Sequence, residues 1–306
     1  MTSTPPIAPL FPLGGPVPSD LIIGRDIEII ELVTQLREGV STIVTGPRRT
    51  GKTTVSEEAC RILANEDGAL VVKIDVPERK NESATALLQL IIDGCAGLHV
   101  KDAARGVLKV LRPTIEKWLR DENLSLDLTG VGEGQQPDGG RQIIGLPVRL
   151  AEEQQRRVLV FFDELQRVAD YEGGHGVLTD IRDIYSAARS DAVVLVAGSN
   201  TRTFETLLGD PVNLGKLVSR YDLPTTIPSY RWEEPLTERF RAVDLELGDD
   251  QRDAIIAFGD CRPYETMAAA RYMALAARQG SRVVTDFDVE VGLERARQHL
   301  DDDGAA

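Results

Sequence analysis

The sequence predicts an α/β fold, in which helices sandwich a parallel β-sheet and a small all-helical subdomain follows. Short, continuously apolar runs alternate with stretches of helical spacing up to about residue 223. A strand without polar alternation is buried on both faces, so these runs favour a parallel sheet that helices cover on both sides. Beyond residue 223 the apolar residues recur only at helical spacing, which predicts the second, helical part.

The predicted elements alternate along the first two thirds of the chain. Continuously apolar or β-branched runs predict strands at 40–45, 69–75, 157–163 and 192–198. Apolar residues three or four apart predict helices at 26–38, from the first glycine loop to about 63, and at 82–98, 102–121, 142–155 and 177–189. The helical subdomain is predicted to contain helices at 233–242, 249–258, 263–279 and 286–300.

These elements predict the domain organisation. We expect a proline-rich arm at 1–19, a core at 20–223, a helical lid subdomain at 224–300 and an acidic tail at 301–306. A glycine-rich stretch at 129–140 has no periodicity and predicts a surface loop within the core. The tail is expected to fray.

The arm contains six prolines, which remove backbone donors and disfavour helix at the preceding residue. We therefore expect an extended segment rather than a folded element. It either drapes over the domain through Ile7, Leu10 and Phe11 or forms a loosely ordered tail.

The composition excludes several classes of function. The chain has 306 residues, with 35 Lys plus Arg against 49 Asp plus Glu and a formal net charge of −14. A field of that sign disfavours a nucleic-acid coat protein, although it leaves a local basic patch open. Three cysteines without metal-ligand spacing are typical of thiols in a reducing compartment. No apolar run approaches about 18 residues, so we expect a cytoplasmic protein without a membrane anchor.

A phosphate loop follows the first predicted strand. The stretch from Gly46 to Thr53 reads Gly-Pro-Arg-Arg-Thr-Gly-Lys-Thr and lies between a strand and a helix. Glycines let successive backbone N–H groups turn inward, and the helix N-terminus adds its positive dipole end. Lys52 is predicted to reach the β and γ phosphates, and the Thr53 hydroxyl is predicted to bind Mg²⁺. The alternative is a glycine turn that binds nothing.

Two acids end the third predicted strand. Asp163 and Glu164 come directly after a buried apolar run, so both carboxylates are expected at the carboxyl edge of the sheet, where ligands of open α/β sheets bind. Asp163 is predicted to hold the Mg²⁺ shell, and Glu164 to polarise a water for in-line attack. Alternatively, the pair caps the next helix.

Polar residues also end the fourth predicted strand. Ser199 and Asn200 follow Gly198 directly. Either side chain is a candidate to lie beside the attacking water and the γ-phosphate. Capping a helix that begins near Arg202 is an equally good interpretation.

At these residues the sequence resembles a known family. Ile23-Gly24-Arg25-Asp26-x-Glu28 ahead of the phosphate loop is similar to the archaeal-type ATPases and their origin-recognition-like AAA+ relatives. The stretch 124–132, the acids with Leu165 and Gln166, and Gly198-Ser199 resemble the same group, over roughly residues 20 to 280. The resemblance implies a P-loop NTPase fold, ATP and Mg²⁺ as cofactors, and Gly24 and Arg25 near the adenine.

The resemblance also implies roles for two arginines. Arg262 lies where these ATPases carry a lid residue that often reaches the γ-phosphate, and Arg220 lies where AAA+ relatives place an arginine that touches a neighbour's nucleotide. The alternative for each is a surface salt bridge. The predicted nucleotide-binding residues are then Gly24, Arg25, Gly46, Pro47, Arg48, Arg49, Thr50, Gly51, Lys52, Thr53 and Thr54.

Three functions remain open from the sequence. The leading hypothesis is a Mg²⁺-dependent ATPase that couples nucleotide state to lid motion and to a partner protein or self-assembly. The second is a nucleotide-gated binding module that does not hydrolyse ATP. The third is a DNA-associated loader or transposition helper, which the net charge disfavours but which arginines at 156–157, 231 and 239–241 leave open.

Overall fold

The computed structural model describes residues 6–78, 83–96, 138–188, 191–198, 207–209, 212–278 and 282–304. The chain divides into two compact units. We call Ile29–Gly46 with Ser56–Asp222 the sheet unit, and Met1–Glu28 with Pro47–Val55 and Leu223–Ala306 the helical unit. The predicted helix at 102–121, the stretch 124–132 and the predicted loop up to residue 137 lie outside the described residues.

The strands and the main helices alternate as the α/β prediction requires. The strands are β1 (Thr42–Thr45), β2 (Leu70–Asp75), β3 (Val158–Asp163), β4 (Ala192–Ala197) and β5 (Ser219–Asp222). The helices up to residue 222 are α1 (Ile7–Leu10), α2 (Asp26–Arg37), α3 (Lys52–Glu66), α4 (Ala84–Ala96), α5 (Asp138–Ile144), α6 (Leu146–Gln154) and α7 (Gly174–Ala188). The helices that follow are α8 (Tyr230–Ala242), α9 (Asp249–Gly259), α10 (Pro263–Ala277) and α11 (Asp286–Gly304).

The sheet unit contains one parallel sheet in the order β2-β3-β4-β1-β5. Every residue of β1 and β4 is buried, and β3 is buried up to its last residue, so both faces of the central strands are covered. The predicted parallel sheet between helices is therefore confirmed. Its register places Asp163 opposite Asp75 on β2 and Ala197 on β4.

Two local predictions differ from the structure in the sheet unit. The predicted helix at 142–155 is two helices, since α5 ends before Gly145 and α6 starts with Pro147 in its first turn, where a missing N–H costs nothing. The fifth strand was not predicted. Its sequence, Ser-Arg-Tyr-Asp, is polar, which suits an exposed edge strand; among the described strands β5 pairs with β1 alone.

The helical unit has its own core of buried apolar side chains from the arm and from α8, α9 and α10. Within the arm, Ile7 and Phe11 are buried, and the Phe11 ring meets the Phe240 ring edge-on with centroids 5.3 Å apart. The arm thus packs on this unit, and it contains the four-residue helix α1, which the proline count did not predict. At the other end, α11 continues to Gly304 instead of fraying after residue 300.

Within the described residues, no helix combines the length and the apolar character that crossing a membrane requires.

Candidate functional site

The phosphate loop connects the end of β1 at Thr45 to the start of α3 at Lys52. Its two glycines have backbone angles that glycine adopts readily, with φ at +151° for Gly46 and +92° for Gly51. An added Cβ at Gly51 would meet no atom within 4 Å, so the backbone angle rather than space calls for glycine there. The loop therefore has the local form of an anion-binding turn at a helix N-terminus.

Lys52 folds back over this loop. Its side chain is 6% exposed, and its Nζ donates a hydrogen bond of 2.5 Å to the Pro47 carbonyl. The Thr50 hydroxyl donates to the same carbonyl at 3.0 Å. The Lys52 ammonium is thus held on the loop that it is predicted to complete around a phosphate.

The two loop arginines are exposed, and Arg49 contacts the end of α11. Its Nη2 lies 2.7 Å from a carboxylate oxygen of Asp303, and its guanidinium lies 4.5 Å above the ring centre of Tyr264. Tyr264 donates a hydrogen bond to Asp303, and its hydroxyl oxygen lies 3.0 Å from Nε2 of His299. Arg49 is therefore occupied by protein groups.

This cluster shifts two ionisations. Burial and the hydrogen bond to Asp303 raise the pKa of Tyr264 to about 12. The hydrogen bond from Tyr264 and then the charge of Arg49 lower the pKa of Asp303. The Asp303 carboxylate therefore stays charged at pH values below the usual pKa range of an aspartate, and its ion pair with Arg49 persists there.

Gly24 and Arg25 lie close to the first residues of Leu223–Ala306, the last segment of the helical unit. Gly24 has φ +60°, and a Cβ there would lie 2.5 Å from the Ile227 side chain. Arg25 is 3% exposed and donates to the carbonyls of Thr50 and Pro224 at 3.0 and 2.8 Å. The space that Gly24 leaves is filled by protein, and the Arg25 guanidinium binds backbone carbonyls.

The two threonines after Lys52 differ in their surroundings. Thr54 is buried, and its hydroxyl accepts a hydrogen bond of 3.2 Å from the backbone N–H of Val17 in the arm. Thr53 is half-buried. Of the two, Thr53 is the one the motif assigns to a metal, and Thr54 links the arm to the first turn of α3.

In the sheet unit, Asp163 and Glu164 lie at the carboxyl edge, as predicted for the end of β3. Glu164 has φ +59°, and its N–H donates to the Ala197 carbonyl at 2.7 Å. Its carboxylate accepts a hydrogen bond from Gln166 Nε2 and lies 4.0 Å from Arg167. A 3-10 turn at Leu165–Asp170 follows, and the Glu164 side chain does not cap it.

The two residues that the motifs assign to Mg²⁺ have side chains of a suitable chemical type. Thr53 in the helical unit offers a hydroxyl and Asp163 in the sheet unit offers a carboxylate, and both are hard oxygen ligands. Among the described residues, no group of three or more acidic, histidine or cysteine side chains gathers at one point. Mg²⁺ commonly uses one or two protein ligands and completes its shell with water and substrate phosphates, so each of these two side chains is of a chemical type that suits it.

The remaining predicted residues have separate surroundings. Arg220 lies on the edge strand β5 and pairs with Asp222 at 2.8 Å, and Asp222 also accepts a hydrogen bond from Thr45. Arg262 precedes α10, with its side chain 56% exposed and 3.8 Å from Asp260. Ser199 and Asn200 lie outside the described residues.

Sequence reasoning missed three contacts of the predicted residues. Tyr264 and Asp303 hold a loop arginine from more than 200 positions away, and no spacing in the chain signals such a pairing. Gln166 belongs to a stretch that carries the family resemblance, but its hydrogen bond to Glu164 arises from the tight turn after β3. The positive φ of Glu164 is the local signal of that turn, and it is a property of the backbone rather than of the residue type.

Solved structures with a similar fold are ATPases and DNA-associated proteins. A Walker-type ATPase of Pyrococcus abyssi matches with a TM-score of 0.66 and 17% identity over 95% of this chain and 76% of that chain. ORC1 of Aeropyrum pernix, solved in complex with DNA, matches with a TM-score of 0.57 and 18% identity over 92% and 66%. The Holliday junction branch migration motor RuvB of Thermotoga maritima matches with a TM-score of 0.53 and 11% identity over 94% and 72%.

No protein-family model and no curated protein matches the chain. At the identities above, the structural likeness establishes the fold. The chain has a P-loop NTPase fold like that of these solved structures, and the family resemblance seen in the sequence is confirmed as a likeness of fold.

Proposed function

We propose that this protein binds ATP with Mg²⁺ and hydrolyses it. The observation that carries the proposal is the loop between β1 and α3, with glycine angles at Gly46 and Gly51 and Lys52 folded over it. In P-loop enzymes such a loop directs backbone N–H groups at the phosphates, and its lysine offsets charge on the β and γ phosphates. The fold of the similar structures supports ATP as the nucleotide.

Glu164 is the proposed general base. In the proposal its carboxylate orients a water for in-line attack on the γ-phosphorus, which requires a side chain that is held in place and charged. The Gln166 hydrogen bond and the nearby Arg167 supply that hold. The Glu164 side chain makes no cap hydrogen bond to the backbone of the turn that follows.

Thr53 and Asp163 are the proposed Mg²⁺ ligands. The bound cation would supply charge neutralisation at the phosphates. The chain's own contribution is then to bind and orient: Lys52 on the phosphates, the N-terminus of α3 behind them, and Glu164 on the water.

The proposed output of turnover is a motion of the helical subdomain that a partner protein or a second copy receives. The net charge of −14 favours a protein partner over a polyanion. Three of the arginines that were candidates for a basic patch are engaged within the protein. Arg239 is buried in the helical unit, while Arg156 and Arg157 donate to backbone carbonyls of the sheet unit.

The first test is phosphate release with ATP and Mg²⁺ by wild type and by Glu164→Gln, with nucleotide binding and light scattering measured in parallel. We expect Glu164→Gln to bind ATP as wild type does and to lose turnover by about 100-fold or more, since a general base contributes roughly 10²–10⁴-fold. The matched control is Glu153→Gln, an exposed glutamate of α6, which should leave turnover unchanged.

Three other results would change the proposal. Tight ATP binding without turnover in wild type would replace it with the nucleotide-gated module that acts by population shift. Unchanged nucleotide binding in Lys52→Ala would remove the phosphate loop from the proposal altogether. ATP-dependent, salt-sensitive DNA binding would favour the DNA-associated alternative over a protein partner.

A further inference from the structure

Arg25 is a charged side chain that the helical unit buries almost completely. Its side chain is 4% exposed, and its Nη1 pairs with Glu28 at 2.8 Å. The other terminal nitrogen, Nη2, donates to the carbonyls of Thr50 and Pro224. Its Nε is buried and has no hydrogen-bond partner among the described residues. Burying a guanidinium is costly unless it is paired, so the position of Arg25 is set by the groups that it does bind.

The Thr50 carbonyl belongs to the peptide that precedes Gly51. A trans peptide is planar, and its C=O and N–H point in opposite directions. Arg25 holds the Thr50 oxygen, so it also sets the direction of the Gly51 N–H, which then points away from Arg25. Gly51 has φ +92° and stands directly before Lys52, the first residue of α3.

The loop's own contacts act on a different peptide. The Thr50 hydroxyl and Lys52 Nζ both donate to the Pro47 carbonyl, three to five residues earlier. Those bonds organise the first half of the loop, whereas Arg25 acts on its second half from outside the loop. The same Arg25 nitrogen also binds the Pro224 carbonyl, so one side chain joins the loop to the start of the segment that leads into α8.

We infer that Arg25 is a positioning residue, which orients the Thr50–Gly51 peptide so that the Gly51 N–H donates to a phosphate of the bound nucleotide. The inference rests on the proposed function and deepens it. It gives Arg25 a role through the loop backbone in place of the adenine contact that the family resemblance implied. Gly24 supports the role, because only a residue without Cβ lets the chain pass Ile227 and Arg231 so closely.

The experiment observes the Gly51 amide selectively. Labelling with ¹³C-carbonyl threonine and ¹⁵N-glycine limits a carbonyl-to-amide correlation spectrum to Thr–Gly peptides, of which the sequence has three: Thr45–Gly46, Thr50–Gly51 and Thr129–Gly130. Replacing Thr50 with serine removes one signal and so assigns it. The probe is MgATP, added to the full chain.

In wild type we expect MgATP to move the Gly51 amide proton downfield, as a hydrogen bond to a charged phosphate does. In Arg25→Lys and Arg25→Met that shift should be lost, and the ATP dissociation constant should rise about 10- to 100-fold, the worth of one hydrogen bond to a charged group. Lysine keeps the charge but offers a point donor instead of the planar fork, so it tests geometry.

Arg239→Lys is the matched control. Arg239 is also buried in the helical unit and donates to a backbone carbonyl, that of Leu21, but it has no described contact with the loop. It should lower the melting temperature while keeping the Gly51 shift. An equal Gly51 shift in wild type and in the folded Arg25→Lys protein would overturn the inference and leave the proposed function standing. No shift in wild type would overturn both.

Discussion

At the residue scale, two buried arginines of the helical unit bind the backbone. Arg239 donates to the Leu21 carbonyl, and its Nη1 lies 3.3 Å from the sulfur of Met267. Burial lowers the pKa of Arg239 to about 10, because the apolar surroundings disfavour the charged form. Arg25 binds the carbonyls of Thr50 and Pro224. The two arginines therefore fix the backbone just before and just after Ile23. Guanidinium groups suit this task because their five donors form a rigid fork.

The glycine that precedes Arg25 yields a sharp prediction. Gly24→Ala should destabilise the helical unit by about 2 kcal/mol or more, because the new Cβ would lie 2.5 Å from Ile227 Cγ2 at a backbone angle of φ +60°. The control is Gly15→Ala, which has φ +71° but nothing within 4 Å, so it carries the strain of the angle alone, roughly 1 kcal/mol. Urea unfolding of both variants measures the difference, and equal losses would contradict the close-contact argument.

At the element scale, the proline-rich arm belongs to a core. Ile7 and Phe11 lie in the same apolar cluster as Phe240 of α8, and further along the arm Val17 donates to Thr54 at the start of α3. Prolines shape this segment but do not keep it from packing, since an extended chain needs few donors and still offers apolar side chains. The arm is therefore both a packing element and a contact of the first turn after the phosphate loop.

Removing the arm's anchor tests this description. Phe11→Ala should cost about 3–5 kcal/mol in the free energy of unfolding, as expected for a fully buried phenylalanine that leaves a cavity. Ala8→Ser, an exposed change in the same short helix, should stay within about 0.5 kcal/mol of wild type. A loss for Phe11→Ala no larger than that of Ala8→Ser, by denaturant titration, would mean that the arm does not pack in solution.

At the scale of the whole molecule, nucleotide binding should appear as stability. A ligand that binds only the folded state adds RT ln(1 + [L]/Kd), about 2.7 kcal/mol at 100 times Kd. For a chain of 306 residues we expect MgATP to raise the melting temperature by roughly 5 °C. Differential scanning fluorimetry measures this rise in melting temperature.

Lys52→Ala should abolish this ATP-induced rise. The exposed Lys216→Ala, in the sheet unit, should keep it. A rise of equal size in Lys52→Ala would place the nucleotide elsewhere on the protein.

Much of the fold was predictable because it depends on local patterns. β3 and β4 are continuous apolar runs, and their burial on both faces follows directly from that composition. β5 was not predictable, because a four-residue polar strand becomes a strand only by pairing with β1. The break between α5 and α6 was readable in principle, from Gly145 and Pro147 together.

The candidate site likewise has one part that the sequence predicted and one part that only the structure shows. By itself the sequence determined the chemistry: a glycine loop with Lys52 and Thr53 between a strand and a helix, and two acids after a buried strand, because those residue types and spacings act through local backbone geometry. Only the tertiary structure decided where Arg25, Arg49 and Glu164 direct their side chains. Their partners are Thr50 and Pro224, Tyr264 and Asp303, and Gln166 with Arg167. Most of these contacts join residues that are remote in the chain, and packing, not sequence spacing, brings such residues together.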